Sequence, residues 1–208
     1  MPSVTRAGRA GRHDRRAAME RNLFDATEHL IREGASFAEI SVERLVAQAG
    51  ISRSTFYVHF QDKGELARKL ASTVLDELGE VADRWWRTAE HADRTALHDA
   101  IAAIVAVYRS RAAAFTVVVE TATYDPTVAA ELQTRAQQII DAAHAAIERG
   151  KAAGVMRDVA PAETAAVLTW MVERAGYQLV RGGDSAHDPA FVHVLADIVW
   201  TTLYPPRP

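Results

Sequence analysis

Six side chains able to hydrogen-bond a polyanion fall between Ser52 and His59: Ser52, Arg53, Ser54, Thr55, Tyr57 and His59. No Asp or Glu interrupts the run from Ser52 to Gln61, and Lys63 follows after Asp62. Arg53 can pair bidentately with guanine or hold a phosphate. Ser54 and Thr55 are short enough to approach base edges, and the Thr55 methyl suits a thymine methyl. Singly, each residue has a plainer use. Ser52 suits a helix cap, the Tyr57 ring suits packing, and a lone histidine such as His59 is a surface group in most proteins. Together they describe a DNA-reading helix.

Such a helix needs a frame that presents one face to the major groove. The flanking sequence supplies it. Ser41 is a good N-cap for a preceding helix, Gly50 permits a tight turn at Ala49-Gly50-Ile51, and Ser52 caps the reading helix. Phe37, Ile40, Val42, Leu45, Val46, Ile51, Phe56 and Phe60 are spaced to close a small three-helix core. Upstream, a helix is predicted from about Asp14 to Glu33, stopped by Gly34. Downstream, Asp62 with Glu65 three residues on reads as a capping box. It opens a helix over about 63–89, which at 1.5 Å per residue is ~40 Å long. Backbone amides at the starts of the helices capped by Ser41 and Asp62 are further phosphate donors.

The charge balance separates two regions. Residues 1–69 carry 12 Lys+Arg against 9 Asp+Glu, and residues 70–208 carry 12 against 18, for a formal total of -3. Six arginines (Arg6, Arg9, Arg12, Arg15, Arg16, Arg21) crowd the start against Asp14 and Glu20. A basic head on an acidic body is expected, with residues 1–13 as a flexible basic arm suited to phosphate or minor-groove contact. The absence of cysteine fits a reducing cytoplasm and excludes disulfide and thiolate chemistry. No apolar run reaches the length of a membrane span, and the basic N-terminus lacks the apolar stretch of a secretory signal. A cytoplasmic protein is expected.

The 208-residue chain reads as all-α, with about nine helices. The expected organisation is a helix-turn-helix head over 14–62 and a helical body over 63–208, joined by the helix over 63–89. Helices are predicted from near Asp93 to Tyr108, from Arg111 to Thr121, from the Asp125-Pro126 cap to Arg149, from Pro161 to Arg181, and from the Asp188-Pro189 cap onward. Apolar residues recur at helical spacing: Leu97, Ile101, Ile104, Tyr108, then Phe115, then Ile139 and Ile140, then Leu168, Trp170, Met171 and Tyr177. Most belong in a bundle core. Some are expected to line a cavity for a small apolar ligand, with Gln137, His144, Thr169 and Glu173 as its polar groups. No phosphate loop, nucleophile elbow or metal-spaced histidine pair occurs, so no catalytic residue, metal or cofactor is assigned and an enzyme is not expected. His193 and Asp197 lie four apart and read as a surface contact.

The pattern Ser41-Val42, Leu45, Ala49-Gly50-Ile51-Ser52, Thr55-Phe56-Tyr57, His59-Phe60, Lys63 and Leu66 resembles the TetR family of bacterial transcription regulators. That resemblance implies that Tyr57, His59 and Lys63 bind phosphates. With Ser41, Ser52, Arg53, Ser54 and Thr55 they make up the expected DNA contacts. The segments 171–174 and 195–204 resemble the EthR branch of the family, whose body encloses a long apolar channel. This implies ligand-facing positions near Leu97, Ile104, Tyr108, Gln137, Ile140, Thr169 and Val172. The expected set is completed by Ile101, Phe115, Trp170, Glu173 and Tyr177. The chain departs from that branch by placing Thr169 and Val172 where amides stand, and Gln133 at an aromatic position. Ala165, Ala166, Leu168, Met171, Val172, Ala175, Leu179, Phe191, Val194, Leu195, Ile198, Val199 and Thr202 offer apolar faces for a homodimer on a palindromic operator. The expected function is a repressor released from double-stranded DNA by a small apolar ligand. The alternative is a DNA-binding regulator without a small-molecule input, controlled by a protein partner or acting architecturally; a filled, dry body core would favour it.

Overall fold

A computed structural model describes the backbone of residues 4–205 and the side chains of residues 16–205. Among the described residues the chain forms nine α-helices. These are α1 (Val4–Arg32), α2 (Val42–Ala49), α3 (Arg53–His59), α4 (Lys63–Trp86), α5 (Arg94–Ser110), α6 (Ala112–Ala122), α7 (Pro126–Ala152), α8 (Pro161–Ala175) and α9 (Asp188–Leu203). Helices α1 to α3 form the head, and α5 to α9 pack around the far part of α4 as the body.

The caps explain most of the boundaries. The Ser41 hydroxyl accepts from the Arg44 amide, Ser52 from the Thr55 amide at 3.0 Å, and Asp62 from the Glu65 amide at 2.7 Å. Glu65 answers by accepting from the Gln61 amide, one residue before the cap. Gly50 sits at φ 66°, in the left-handed region that a tight helix–helix turn demands of its C-cap. Asp125 caps α7, with Pro126 at its first position. In the head, Leu23, Leu30, Phe37, Ile40, Leu45, Phe56 and Phe60 are buried together. Asn22 donates to the Ala49 carbonyl at 2.8 Å, fixing the end of α2 against α1.

Several boundaries depart from the expectation. Helix α1 begins at Val4 rather than near Asp14. An Ala- and Arg-rich stretch has high helix propensity, which outweighs about 1 kcal/mol for each of Gly8 and Gly11. The contacts expected of the basic arm lie outside the described side chains. Helix α4 ends at Trp86, and a 3₁₀ turn at Ala89–His91 follows it. Helix α8 gives way after Ala175 to a π-helical segment over Gly176–Val180. Asp188 does not cap α9. Its carboxylate is held by the Arg109 guanidinium, and Asp184 instead caps the preceding 3₁₀ turn at the Ala186 amide.

The head and body meet at a polar joint on the α1–α2 loop. Glu120, near the end of α6, accepts from the Ser36 hydroxyl and the Ala38 amide, each at 2.7 Å, and from the Phe37 amide at 3.1 Å. From the other side the Lys63 ammonium donates to the Phe37, Ala38 and Ile40 carbonyls at 2.7, 2.8 and 2.9 Å. A second tie lies nearby. Glu28 on α1 is buried and accepts from Arg32 and from Arg111, which also donates to Glu77 on α4. Arg68 on α4 donates to Asp125 at 2.8 Å, binding α4 to the start of α7.

Burial alone would raise the Glu120 carboxyl pKa, but its donors from the loop and the Lys63 charge hold it below the usual carboxylate value. A depressed folded-state pKa gives stability that is fully present above the unfolded value and is lost as pH falls through the folded one. Glu120→Gln is therefore expected to lower unfolding stability at neutral pH by about 1–3 kcal/mol, the range for hydrogen bonds to a charged group. The gap between wild type and variant closes as pH drops below about 4, near the unfolded carboxyl pKa. Denaturant titrations across pH check both statements; a gap independent of pH contradicts them.

Candidate nucleic-acid interface and effector cavity

The reading face follows from the two caps and the buried Phe56. With Phe56 turned into the head core, Arg53, Ser54, Tyr57 and Val58 point outward, and Thr55 and His59 are partly covered. Arg53 pairs with Glu43 of α2, and its guanidinium lies 5.6 Å from the Tyr57 ring centroid. The fork is thus held over the face rather than waving in solvent, and it must leave Glu43 to reach a base. Ser52 bonds the Ser54 and Thr55 hydroxyls at 2.8 Å as well as capping the helix, so these hydroxyls form a preordered cluster at its start. Ser41 lies exposed beside the first amides of α2.

Lys63 requires a correction. It is expected to grip a phosphate, but its three donors are engaged by the three loop carbonyls, and its ammonium lies 4.9 Å from the Phe37 ring centroid. Burial pulls its pKa below the usual lysine value, with Glu120 acting in the opposite direction. An ammonium with no donor left holds the loop, not the DNA, in this conformation. Val58 is the contrary case. It has no polar group to mark it in the sequence, yet it is 78% exposed on the reading face, where a branched methyl suits a thymine contact.

The body holds a partly open cavity of about 370 Å³ between α4, α5, α6, α7 and α8, with Trp170 and Arg174 at its exposed rim. That volume suits a small organic molecule. Leu97, Ile101, Ile104, Tyr108, Phe115, Thr169, Trp170, Val172, Glu173 and Tyr177 line it as expected. Gln137 and Ile140 do not. On α7 the cavity face is Leu132, Arg135, Ala136 and Ile139. Each residue turns a helix by 100°, so Gln137 and Ile140, one step past Ala136 and Ile139, look away. Gln137 instead donates to Asp141 at 2.8 Å. His144 faces Glu148 on the surface.

The wall that matters for transmission was marked in the sequence only by the Trp85-Trp86 pair near the end of α4, and Leu75, Leu78 and Ala82 carried no such sign. Leu75, Leu78, Ala82, Trp85 and Trp86 of α4 line the same cavity. Three polar atoms on the lining are buried and lack a hydrogen-bond partner among the described residues: Trp85 Nε1, Thr169 Oγ1 and Glu173 Oε2. Burial pushes the Glu173 carboxyl pKa up, with Arg174 opposing. Tyr108 stacks on Phe115 at 4.6 Å, and its ring lies against Gly176 in the π segment, where a Cβ would come within 2.4 Å of it. The missing side chain of Gly176 is what seats the Tyr108 wall.

Comparison with protein families matches residues 23–70 to the family described as bacterial regulatory proteins, tetR family, and residues 97–205 to the family described as transcriptional regulator EthR, C-terminal domain. No curated protein sequence matches the chain. Among solved structures, the TetR-family regulator PfmR of Thermus thermophilus is similar with a TM-score of 0.70 at 19% identity, over 89% of this chain and 97% of that one. NalD, the secondary repressor of the MexAB-OprM multidrug efflux pump in Pseudomonas aeruginosa, has a TM-score of 0.67 at 15% identity, over 92% and 99%. A protein of Saccharomonospora viridis described as a transcriptional regulator, in complex with choline, has 0.67 at 16%, over 91% and 100%. At these identities the likeness is one of fold.

Two variants separate the surfaces. Arg53→Ala is expected to weaken binding to DNA selected from a random pool by about tenfold or more, the range for one bidentate contact, with the melting temperature unchanged. Anisotropy titration checks it, and equal affinity rules Arg53 out as a contact. Gly176→Ala is expected to lower stability by about 1–3 kcal/mol and to push the Tyr108 ring into the cavity, as overpacking does. A crystal structure of the variant with the ring unmoved contradicts this.

Proposed function

Because this chain belongs to the TetR family of bacterial regulatory proteins, with a C-terminal domain of the EthR type, we propose that it is a homodimeric repressor released from a palindromic operator by a small, mostly apolar ligand. One observation carries the ligand half of this reading. The cavity is walled on one side by α4, the helix that begins under the recognition helix at Lys63. A body core with a void of about 370 Å³ is not the filled, dry core that a regulator without a small-molecule input would have. A ligand acts by binding one arrangement of α4 more tightly than another, and it shifts the equilibrium only by that difference.

The dimer half rests on apolar exposure. Val167, Trp170 and Leu179 in the α8 region and Val194 and Ile198 on α9 are 40–66% exposed. Of the faces expected to meet a second copy, Ala165, Leu168, Leu195 and Val199 are buried within the chain and are unavailable. The remaining face suits a four-helix contact between copies. It would set the two α3 helices at half-sites about 34–36 Å apart. DNA is the partner, so the site of action is the cytoplasm.

Replacing Val194 and Ile198 together with lysine tests the assembly. The double variant is expected to sediment as a monomer with its helical circular dichroism intact, and to lose most of its affinity for a two-half-site DNA. A dimer that survives the change places the interface elsewhere.

A further inference from the structure

We infer that the cavity takes a lipophilic amine, whose ammonium pairs with Glu173 and whose apolar body lies among the aromatic walls. This rests on the reading of the cavity as a ligand site and adds the chemical class. Glu173 sets that class because, among the described residues, its Oε2 is the only buried, unpartnered acceptor on the lining that carries charge. The adjacent Arg174 makes a loose ion pair with Oε2 at 3.8 Å, beyond hydrogen-bond length, from a side chain that is 64% exposed, whereas that of Glu173 is 28% exposed. Arg135, the other cation on the lining, is committed to Asp76. A buried carboxylate oxygen without a donor is unfavourable until one arrives. An ammonium supplies a charge-assisted donor, whereas a ligand carboxylate would add a second anion beside the first. Thr169, one turn before Glu173 on α8, offers its unpartnered hydroxyl on the same side. The Trp85 indole N–H is left for an acceptor elsewhere on the ligand body.

Two further observations agree. Trp85, Trp86, Tyr108, Phe115, Trp170 and Tyr177 are among the lining residues, and aromatic rings attract cations where a face is free. A surface groove shares Trp86, Arg135 and Ile139 with the cavity and bears Asp76, Glu80 and Asp83. The Arg135–Asp76 pair stands at the boundary between them. Asp83 pairs likewise with Arg87, so among the described residues Glu80 is the groove carboxylate outside an ion pair, and its charge favours the approach of a cation over that of an anion.

Three probes of matched shape decide the matter: phenylbutylamine, phenylbutanol and phenylbutanoate, titrated calorimetrically into the full-length protein and into Glu173→Gln. The amine is expected to bind wild type about tenfold or more tightly than the alcohol, with the acid weakest. In Glu173→Gln the amine's advantage is expected to vanish while the alcohol binds as before. Equal binding of amine and alcohol, a preference for the acid, or an amine preference that persists in the variant overturns the inference and leaves the ligand-site reading standing. If none of the three binds wild type, that reading falls with it. The wild-type ranking decides the class even if the variant does not fold.

Discussion

One strand of backbone, the turn between α1 and α2, is gripped from both sides by opposite charges. Lys63 takes its carbonyls and Glu120 takes its amides. Loop polar groups buried at a junction need partners, and here the partners come from two different parts of the fold: the first turn of α4 and the end of α6. The orientation of the head relative to the body is therefore held by these directional bonds in addition to the apolar core, which runs without a break from Leu23 and Phe37 through Leu66 and Leu70 to Trp85 and Leu97. Directional bonds between charged and backbone groups have a narrow range of acceptable geometry. A shift of α4 against α6 must either carry the loop with it or break bonds on one side. The Glu28–Arg111–Glu77 cluster adds a second constraint of the same kind between α1, α4 and α6.

This joint gives the cavity a route to the DNA face. The same α4 that carries Lys63 at its start presents Leu78, Ala82 and Trp85 to the cavity along its later turns. The same α6 that carries Glu120 presents Phe115 and Val118. Both jaws of the clasp are thus rooted in cavity walls. A molecule that widens or fills the space between α4 and α6 acts on the clasp without touching the head. The π segment after α8 matters for the same reason. It lets the Tyr108 ring lie against Gly176 and keeps the cavity open on the α5 side.

Local signals were legible in the sequence and long-range ones were not. Ser41, Ser52, Asp62 and Asp125 each cap the helix they announce, and Gly50 takes the positive φ its turn requires. These effects depend on neighbours within four residues. The α5 cavity positions Leu97, Ile101, Ile104 and Tyr108 were legible from helical spacing, whereas Val172 on α8 was expected only from the resemblance to the EthR type. Lys63 shows the limit. Its charge and position suit a phosphate, and only the folded loop, more than twenty residues earlier in the chain, reveals that its donors are taken. Glu120 gave no local sign, since its partners lie over eighty residues away. The phase of α7 was off by one residue. Ile139 and Ile140 are equally apolar and both pack partly buried against the core, but only Ile139 reaches the cavity. The π segment left no local sign, since Gly176 at its start is equally compatible with an ordinary helical turn.

The central claim is that occupancy of the cavity moves the recognition helices through α4 and α6. The chain has no cysteine, so a single Gln48→Cys on the exposed side of α2 accepts one spin label per copy. Pulsed electron spin resonance then measures the label-to-label distance across the proposed dimer, with and without saturating phenylbutylamine. The account predicts a shifted distance distribution on ligand addition, and no such shift when Glu120→Gln loosens the clasp. Identical distributions with and without bound ligand in the otherwise unaltered protein would contradict it.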